Sequence, residues 1–358
     1  MTSKARILAA LQGHPVDRMP WSPFLAYWWE AQSAQLREMG QLRFMESVGA
    51  DPMLRGFGAA WQVKFNGLER SVCERDGMCR EILSTPVGRL ELGYRYSATG
   101  DTWFLVDHPV RELEDLKTLQ WIYEHACVTA SGEADAIWSD TGERGLVLPI
   151  IGVECKTCFQ SLVEKWVGTE NLAYFVADAP ENVEECLLTM RRASKRTAEL
   201  SAASAAEGFI FWEDSSTTNI SPSMFTRFAA PEIAEWGNVL HGAGKLLVHH
   251  ACGHLAALLE RMGALPIDAI ESISPPPTGN IDIDGAFELL PEHVALVGGI
   301  EPVFFQNCTE SELDERVNEL LAMARGRRYV LANSDSCPPG VSERKFRLVS
   351  DAVRRLSI

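Results

Sequence analysis

The sequence lacks the features that mark several broad classes of protein. No apolar run reaches the roughly 18 residues of a membrane-spanning helix, and the first residues, MTSKARILAALQGH, lack the long apolar core of a signal peptide. Positive charge is scarce, since 33 Lys and Arg stand against 49 Asp and Glu and leave a formal net charge of -16. That charge argues against nucleic acid and against anionic lipid as partners, so we expect neither a nucleic-acid nor a membrane partner.

A disulfide framework is also missing. The chain of 358 residues has nine cysteines, an odd number, and they are scattered without regular spacing. This usage is typical of reduced thiols, so we expect a cytoplasmic protein. At 46% hydrophobic residues the chain can bury a sizeable core.

What the sequence does contain is a regular alternation of apolar strands and amphipathic helices. Such alternation indicates a parallel sheet, and eight strands predict a (β/α)8 TIM barrel, preceded by a short N-terminal helix. A doubly wound sheet is the alternative, but no glycine-rich phosphate loop follows the early strands. The predicted strands are 19–24, 50–56, 146–153, 208–214, 245–252, 268–274, 294–302 and 328–336.

The predicted helices of the second half are 221–244, with Ser221 as its cap, 254–264, 286–293, 310–326 and 342–356. Residues 59–110 do not follow the alternation and contain short alternating pieces such as GRLELGYRY, which predict a small antiparallel β insertion. We expect this insertion to elaborate the barrel mouth within a single domain that spans residues 1–358.

The stretch LLVHHACGHL, residues 246–255, carries the strongest chemical signal. Because side chains alternate along a strand, His250 and Cys252 share one face, at the carboxyl end where barrel enzymes place their active sites. Cys337 follows the last predicted strand and is the candidate for a third ligand. One imidazole and two thiolates suit Zn²⁺, and three protein ligands with an open fourth position are typical of catalytic zinc. The alternative is a buried His–Cys pair without a metal.

Three segments resemble the uroporphyrinogen decarboxylase superfamily. These are GKLLVHHACGHLAALLERMGALPIDAIESI, the opening ILAALQGHPVDRMPWSP, and WED followed by SPSMFTRFAAPEI. In that superfamily, His-x-Cys and a distant Cys mark zinc-dependent methyltransferases that work with corrinoid proteins and with acceptors such as coenzyme M or tetrahydrofolate. The resemblance therefore implies a TIM barrel, a zinc site formed by His250, Cys252 and Cys337, and a homodimer as the default assembly.

The chain departs from uroporphyrinogen decarboxylase itself after the first strand. That enzyme has an arginine-rich segment there, whereas this chain reads WSPFLAYWWEAQSAQ, which is aromatic and has no arginine. A tetrapyrrole with eight carboxylates needs cations to pair with. The departure favours a methyltransferase over the decarboxylase.

Further candidates follow from their positions at predicted strand ends. Glu213 and Asp214 are candidate catalytic residues, with helix capping as the alternative. Trp21, Tyr27, Glu154 and Glu301 are candidates for contact with the substrate, although tryptophans are often ordinary core or rim residues. Whether Glu271 points inward depends on the strand register.

These observations support a zinc-dependent enzyme that moves a methyl group between a corrinoid and a small molecule. That molecule is an O-, N- or S-methylated donor, which would be demethylated, or a thiol or folate acceptor. The sequence has no corrinoid-binding Asp-x-His-x-x-Gly segment, so we expect the corrinoid to arrive on a partner protein. The alternatives are a metal-free decarboxylase of the same fold and a non-catalytic protein that binds a corrinoid or tetrapyrrole.

Overall fold

The computed structural model describes residues 1–98 and 102–355, and within them a barrel of eight parallel strand segments closes on itself. Two backbone bridges, Ile150 with Ile210 and Trp21 with Leu331, join the remaining strands. The amide of Asp51, just before β1, donates to the carbonyl oxygen of Trp21 at 2.7 Å and completes the ring. The (β/α)8 prediction is confirmed. In order around the ring, the strands are the segment at Trp21, β1 (Met53–Arg55), β8 (Leu146–Leu148), β9 (Gly208–Glu213), β10 (Leu246–Ala251), β11 (Ala269–Ile273), β12 (Ala295–Ile300) and β13 (Tyr329–Asn333).

Branched and small apolar side chains fill the barrel interior, as the alternation along each strand requires. They include Leu148, Ile210, Val248, Val297 and Val330. The first helix, α1 (Ser3–Gln12), closes the amino-terminal end of the barrel by adding Ile7, Ala10 and Leu11 to this cluster. The opposite, carboxyl-terminal end is therefore the one left for chemistry.

The remaining helices form the outer layer and the loops at the mouth. None of the helices in residues 1–98 and 102–355 combines the length and apolar character needed to cross a bilayer. Their ranges are α2 (Ala26–Glu30), α3 (Ala34–Met39), α4 (Gln41–Ser47), α5 (Asp115–Glu124), α6 (Glu133–Thr141), α7 (Cys158–Ser161), α8 (Thr169–Asp178), α9 (Pro180–Ala203), α10 (Pro222–Met224), α11 (Ala230–Gly242), α12 (Leu259–Gly263), α13 (Ile283–Leu289), α14 (Pro302–Asn307), α15 (Glu310–Met323) and α16 (Glu343–Arg355).

Most predicted helices of the second half appear at the expected places. Ser221 caps its helix by accepting a hydrogen bond from the amide of Met224 at 3.2 Å, and a π turn at Phe225–Ala229 joins α10 to α11. The helix predicted over 254–264 is wrong in its first half, because α12 begins only at Leu259. There the amides of His254 and Ala256 donate to the side chains of Ser216 and Asn280, which compete with helical hydrogen bonds.

The antiparallel β structure predicted for residues 59–110 is present as two sheets, and all but one of their strands lie in that range. One sheet has four strands, β3 (Glu69–Arg75), β4 (Met78–Thr85), β5 (Gly88–Ser97) and β6 (Thr102–Asp107). The other pairs β2 (Trp61–Phe65) with β7 (Ala126–Ala130), which lies beyond the predicted range. Leu83, Leu90 and Leu92 are buried, so one face of the larger sheet packs on the rest of the chain, partly through α5.

Gly237 is a point at which α11 touches the loop before β11. A Cβ atom placed there would lie 2.1 Å from the carbonyl oxygen of Pro266. We expect Gly237→Ala to lower the free energy of unfolding by about 1–3 kcal/mol, because overpacking forces the backbone to move. Urea unfolding of Gly242→Ala is the control, since nothing lies within 4 Å of its Cβ position and Gly242 is the last residue of the same helix. Equal effects of the two substitutions would contradict the close approach.

Candidate active site

His250 stands on the inner face of β10, at the mouth of the barrel. Its Nδ1 lies 3.1 Å from Oε2 of Glu271, on the neighbouring strand β11. A carboxylate accepts a hydrogen bond, so Nδ1 donates to Glu271 and Nε2 is left for other partners. The imidazole lies between the rings of Phe24 and Trp212, at centroid distances of 5.5 and 6.5 Å.

Glu271 is itself held by Arg55, and both side chains are buried. Arg55 also donates to the carbonyl oxygens of Ser22 and Pro23, at 2.9 and 3.2 Å. Burial alone would raise the pKa of Glu271, but the charge of Arg55 and the hydrogen bond from His250 hold it below its ordinary value. His250 is therefore oriented by a carboxylate that stays ionised.

Cys252 follows β10 and lies among carboxylates. Burial raises the pKa of its thiol, and the charges of Asp335, Asp214 and Glu164 raise it further. In the absence of a cation, the thiol is therefore held protonated. It makes a long hydrogen bond, 3.7 Å, to the carbonyl oxygen of Glu213.

Asp335 brings a carboxylate towards His250 from the end of β13. Its Oδ1 lies 3.8 Å from Nε2 of His250. The backbone of Asp335 has φ +70°, in the left-handed region that residues other than glycine seldom adopt. The amide of Ser336 donates to Oδ1 of Asp335 at 2.6 Å, and the side chain of Asn333 donates to the backbone carbonyl oxygen of Asp335 at 2.7 Å. These bonds support a strained turn that directs the carboxylate to the mouth.

Cys337 lies in the same loop after β13 as Asp335, but its surroundings differ from those of Asp335. Its side chain is fully buried in the apolar core, and its thiol makes a 3.8 Å contact with the carbonyl oxygen of Pro338. Burial raises the pKa of this thiol, and the one charge that opposes the rise is Lys345, on α16 of the outer layer. Cys337 and Cys252 therefore have different charged neighbours.

The predicted zinc ligands do not fit as a set. No group of three or more His, Cys, Asp or Glu side chains in residues 1–98 and 102–355 is close enough together to hold a metal ion as it stands. His250 and Cys252 both reach the mouth, as predicted from strand alternation. Cys337 faces the helical layer, so the set His250, Cys252 and Cys337 is not brought together.

Glu213 is turned away from the mouth, contrary to the catalytic role predicted for it. Its carboxylate lies 3.3 Å from Nε2 of His249 and accepts a hydrogen bond from the amide of Thr157 at 2.9 Å. Although burial opposes it, these two partners hold the pKa of Glu213 below its ordinary value. Glu213 is thus a structural residue between the barrel and its outer layer.

Asp214, the other predicted catalytic residue, is only partly buried and is held by the side-chain amide of Asn219 at 2.7 Å. Burial raises its pKa, and Glu164 and Asp335 raise it further. Asp214 therefore belongs to the same acidic surroundings as Cys252. Its predicted position near the site agrees with this arrangement, while its role stays a prediction.

The four residues predicted to contact the substrate fall into two groups. Trp21 is fully buried with its ring edge-on to Phe305, so it does not line the mouth as predicted. Glu301 caps α14 through the amide of Phe304, and its contact with the substrate stays a prediction. Glu154 and Tyr27 remain on the mouth side. Glu154 pairs with Lys165 at 2.8 Å and accepts a hydrogen bond from Tyr123, whereas the side chain of Tyr27 is largely exposed.

Comparison with known proteins settles the family. Residues 93–356, well over half of the chain, match the family described as Uroporphyrinogen decarboxylase (URO-D). The chain belongs to the uroporphyrinogen decarboxylase family. Curated relatives include uroporphyrinogen decarboxylases of Prochlorococcus marinus strain MIT 9303, 24% identical over 246 residues and 67% of each chain, and of strain NATL1A, 22% identical over 260 residues and 71% of each chain.

Among solved structures, a methyltransferase from Methanosarcina mazei superposes with a TM-score of 0.68 over 100% of both chains, at 14% sequence identity. At that identity the likeness shows the fold. The resemblance to the uroporphyrinogen decarboxylase family that the sequence motifs indicated is thus confirmed, and named members of the family are enzymes.

Two important residues of this family member were not predicted as site residues. Arg55 is a charge within the otherwise buried strand β1, a signal that a buried partner must exist. Asp335 stands two residues before Cys337 and satisfies the same strand-end criterion that selected the cysteine. Each could have been found by applying the strand rules to every polar side chain.

Proposed function

We propose that this protein is a methyltransferase that works at the barrel mouth around His250 and Cys252. The observation that carries the proposal is the charge of the mouth. Three carboxylates lie there: Oδ1 of Asp335 is 3.8 Å from Nε2 of His250, and Glu164 accepts a hydrogen bond from the amide of Asp214 at 3.1 Å. All three raise the pKa of the Cys252 thiol. Such a mouth attracts a cation, does not repel a neutral methylated molecule, and repels a polyanion.

This charge argues against decarboxylation of a tetrapyrrole that carries many carboxylates. The cations placed beside these strand ends are already engaged: Arg55 with Glu271, Lys156 with Glu164, and Lys165 with Glu154. Binding a polycarboxylate would require free cations in their place. We therefore do not propose for this chain the uroporphyrinogen decarboxylase activity for which the curated relatives are named.

The side chains at the mouth fit methyl chemistry. Phe24 and Trp212 pack beside His250 and offer apolar surface for a methyl group. The contact between Nδ1 and Glu271 orients the His250 ring and leaves Nε2 available to a substrate heteroatom. His250 can thus hold a proton or a metal ion next to that atom, while the aromatic rings limit the access of water.

The proposal includes two groups from outside the chain, a zinc ion and a corrinoid bound to a partner protein. When bound, zinc would act as a Lewis acid towards a thiol or a methylated heteroatom. His250 and Cys252 are positioned to be two of its ligands, whereas Cys337 is not. The small molecule is an O-, N- or S-methyl donor, or a thiol or folate acceptor.

The experiment uses the purified protein with methylcobalamin and coenzyme M, and follows the visible spectrum for loss of the methyl group. We expect turnover by the wild type and a loss of about 100-fold or more in His250→Ala, the scale set by removal of a group that handles a proton or orients a metal. His293→Ala is the matched control, because His293 is exposed at the other end of the barrel and we expect no change.

The same preparation is supplied with uroporphyrinogen and assayed for release of carbon dioxide. Decarboxylation without methyl transfer from any corrinoid would overturn the proposal in favour of the family's named activity. Tight corrinoid binding without turnover of either substrate would instead assign a binding protein.

We also propose that the protein works in the cytoplasm. All nine cysteines are free thiols in the structure, and Cys73 and Cys127 are exposed. A reducing compartment keeps such thiols free, which supports this location.

A further inference from the structure

The strand β3 (Glu69–Arg75) is an open edge of the four-stranded antiparallel sheet. The sheet has the order β3, β4, β5, β6, so β3 pairs with β4 on one side and with no described strand on the other. All its residues are exposed, and Val72 at its centre is 57% exposed. An open edge of this kind presents unpaired amide and carbonyl groups to another chain.

The turn after β3 determines which of these backbone groups face outward. Asp76 and Gly77 form the loop between β3 and β4, and their φ angles of 52° and 72° are typical of a type I′ turn. The residues that flank such a loop, Arg75 and Met78, exchange both backbone hydrogen bonds, and along β3 this bonding then alternates. Every second residue therefore points its amide and carbonyl groups away from β4. These outward residues are Arg70, Val72 and Glu74.

The charges of β3 are arranged symmetrically about Val72. Glu69 stands as far before Val72 as Arg75 stands after it, and Arg70 and Glu74 are related in the same way. Two copies of β3 that pair antiparallel about Val72 therefore place every charged side chain opposite one of the other sign. Parallel pairing in register would place like charges opposite each other, which is destabilising.

We infer that β3 is the interface of a homodimer, in which the β3 strands of two copies pair antiparallel about a two-fold axis at Val72. The outward residues of the two strands then meet in hydrogen-bonded pairs, which satisfy their amide and carbonyl groups. The two sheets become one continuous sheet, and the contact is isologous, as a two-fold axis requires. The homodimer expected from the family resemblance thereby gains a specific surface.

The β3 edge lacks the features that guard an edge strand against pairing. Proteins block open edges with lysine, proline or a bulge. The sequence of β3 contains no lysine or proline, and its pairing with β4 has no register shift. At the other edge of the sheet, the pairing of β6 with β5 is interrupted by a register shift between Gly93 and Tyr94. Of the two edges, β3 is the one suited to another strand.

The charged side chains of β3 are available to a second copy. Glu69 and Glu74 make no ion pair with the residues that the structure describes, and Arg75 contacts its neighbour Asp76 at 3.2 Å with both side chains exposed. Arg70 contacts Glu81 at 2.5 Å, but its side chain is 64% exposed and a guanidinium has further donors.

The interface is small, and it belongs to this chain. A strand of this length extends about 23 Å, so we expect a weak dimer that depends on protein concentration. The strands β3 and β4 precede residue 93, where the match to the uroporphyrinogen decarboxylase family begins. The pairing is therefore not an expectation carried over from the family.

A disulfide cross-link tests the register. In the proposed dimer, Ser71 of one copy lies opposite Cys73 of the other in a non-hydrogen-bonded pair, with Cα atoms about 4.5 Å apart. A disulfide spans that distance. Diamide takes up the two hydrogens of a thiol pair, and we expect it to convert Ser71→Cys into a covalent dimer on a non-reducing gel.

The matched control for the cross-link is the double variant Ser71→Cys with Cys73→Ser. Its two introduced thiols lie on a diagonal, with Cα atoms roughly 7–8 Å apart, which is beyond the usual span of a disulfide. We expect it to run as a monomer after the same treatment. The control keeps the exposed Cys127, so it also measures cross-linking by random collision.

Sedimentation of the reduced protein measures the dimer without a cross-link, at about 1–100 µM, the range suited to a weak interface. Val72→Pro removes the central outward amide from both copies, and we expect dimerisation to weaken by about 10-fold or more, since two hydrogen bonds are lost. That amide does not donate to β4, so proline leaves the pairing of β3 with β4 intact. Val72→Thr keeps the amide and is the matched control, expected within about threefold of wild type.

A charge exchange tests the side-chain pairs. Glu74→Arg places two arginines opposite each other at two positions of the dimer, and we expect it to weaken dimerisation by about 10-fold or more. Adding Arg70→Glu restores opposite charges, so the double variant should return to within about threefold of wild type. Circular dichroism confirms that each variant is folded.

Three outcomes would overturn the proposal. The first is a wild type that stays monomeric up to about 100 µM, because even a weak interface should then be populated. The second is equal cross-linking of Ser71→Cys and its control. The third is a dimer that neither Val72→Pro nor Glu74→Arg weakens, which would place the interface elsewhere. None of these measurements involves methyl transfer, so they leave the proposed function to its own test.

Discussion

Glu271→Ala is expected to lower the free energy of unfolding by about 3–5 kcal/mol, because it leaves the guanidinium of Arg55 buried without a counter-charge. Arg55 and Glu271 are both buried at the carboxyl end of the barrel and contact each other directly. Burial lowers the pKa of Arg55, and Glu271 opposes that change. Urea unfolding followed by circular dichroism measures the loss.

The control is a double variant, Arg55→Met with Glu271→Leu, which removes both charges and keeps similar volumes. Replacing a buried pair by apolar side chains is often neutral or even stabilising, so we expect it to recover most of the stability lost in Glu271→Ala. If the single variant costs under about 1 kcal/mol, as exposed pairs do, the pair is not desolvated and the orientation argued for His250 loses its basis.

A second large effect is expected at the opposite end of the barrel, where Asp51 is fully buried. Its carboxylate contacts Arg6 of α1 at 2.5 Å and Arg18 at 2.6 Å, and accepts hydrogen bonds from Ser3 Oγ at 2.9 Å and the Trp21 amide at 3.2 Å. Asp51→Ala should cost about 3–5 kcal/mol, since Arg6 loses a buried partner. Hydrogen exchange should show α1 opening before the strands.

Asp17→Ala is the matched control, because Asp17 also binds Arg6, at 2.6 Å, but is 42% exposed. An exposed partner of this kind should contribute less than about 1 kcal/mol. If Asp17→Ala and Asp51→Ala destabilise the protein equally, the burial of the carboxylate does not determine how much each ion pair with Arg6 contributes to stability. Protection of α1 that survives in Asp51→Ala would likewise contradict the role given to the carboxylate.

The barrel could be predicted from the sequence because each strand carries its own signal. In a parallel barrel both faces of a strand are buried, so a run such as LLVHHA is buried throughout, and its leucines and valine stand out from the polar residues around it. The same regularity placed His250 and Cys252 on the inner face. Within a strand, the period of two determines where a side chain points.

Side chains beyond the strand ends could not be predicted in this way. Cys337 lies four residues after the end of β13, and the positive φ of Asp335 intervenes, so the period of two no longer applies. Glu213 illustrates the opposite case, since it is the last residue of β9 and alternation with the inward Trp212 already turns it outward. Glu301 precedes Pro302 at the start of a helix, the position of a cap.

The hydrogen bonds between the first and last strands have a consequence for synthesis of the protein. The amide of Ser22 donates to Leu331 and the amide of Leu331 donates to Pro20, so segments about 310 positions apart in the chain must meet. A nascent chain leaving the ribosome cannot close its barrel until Leu331 has emerged. Until then the open edges of the growing sheet are exposed to other chains, which is the period when a chaperone would protect it.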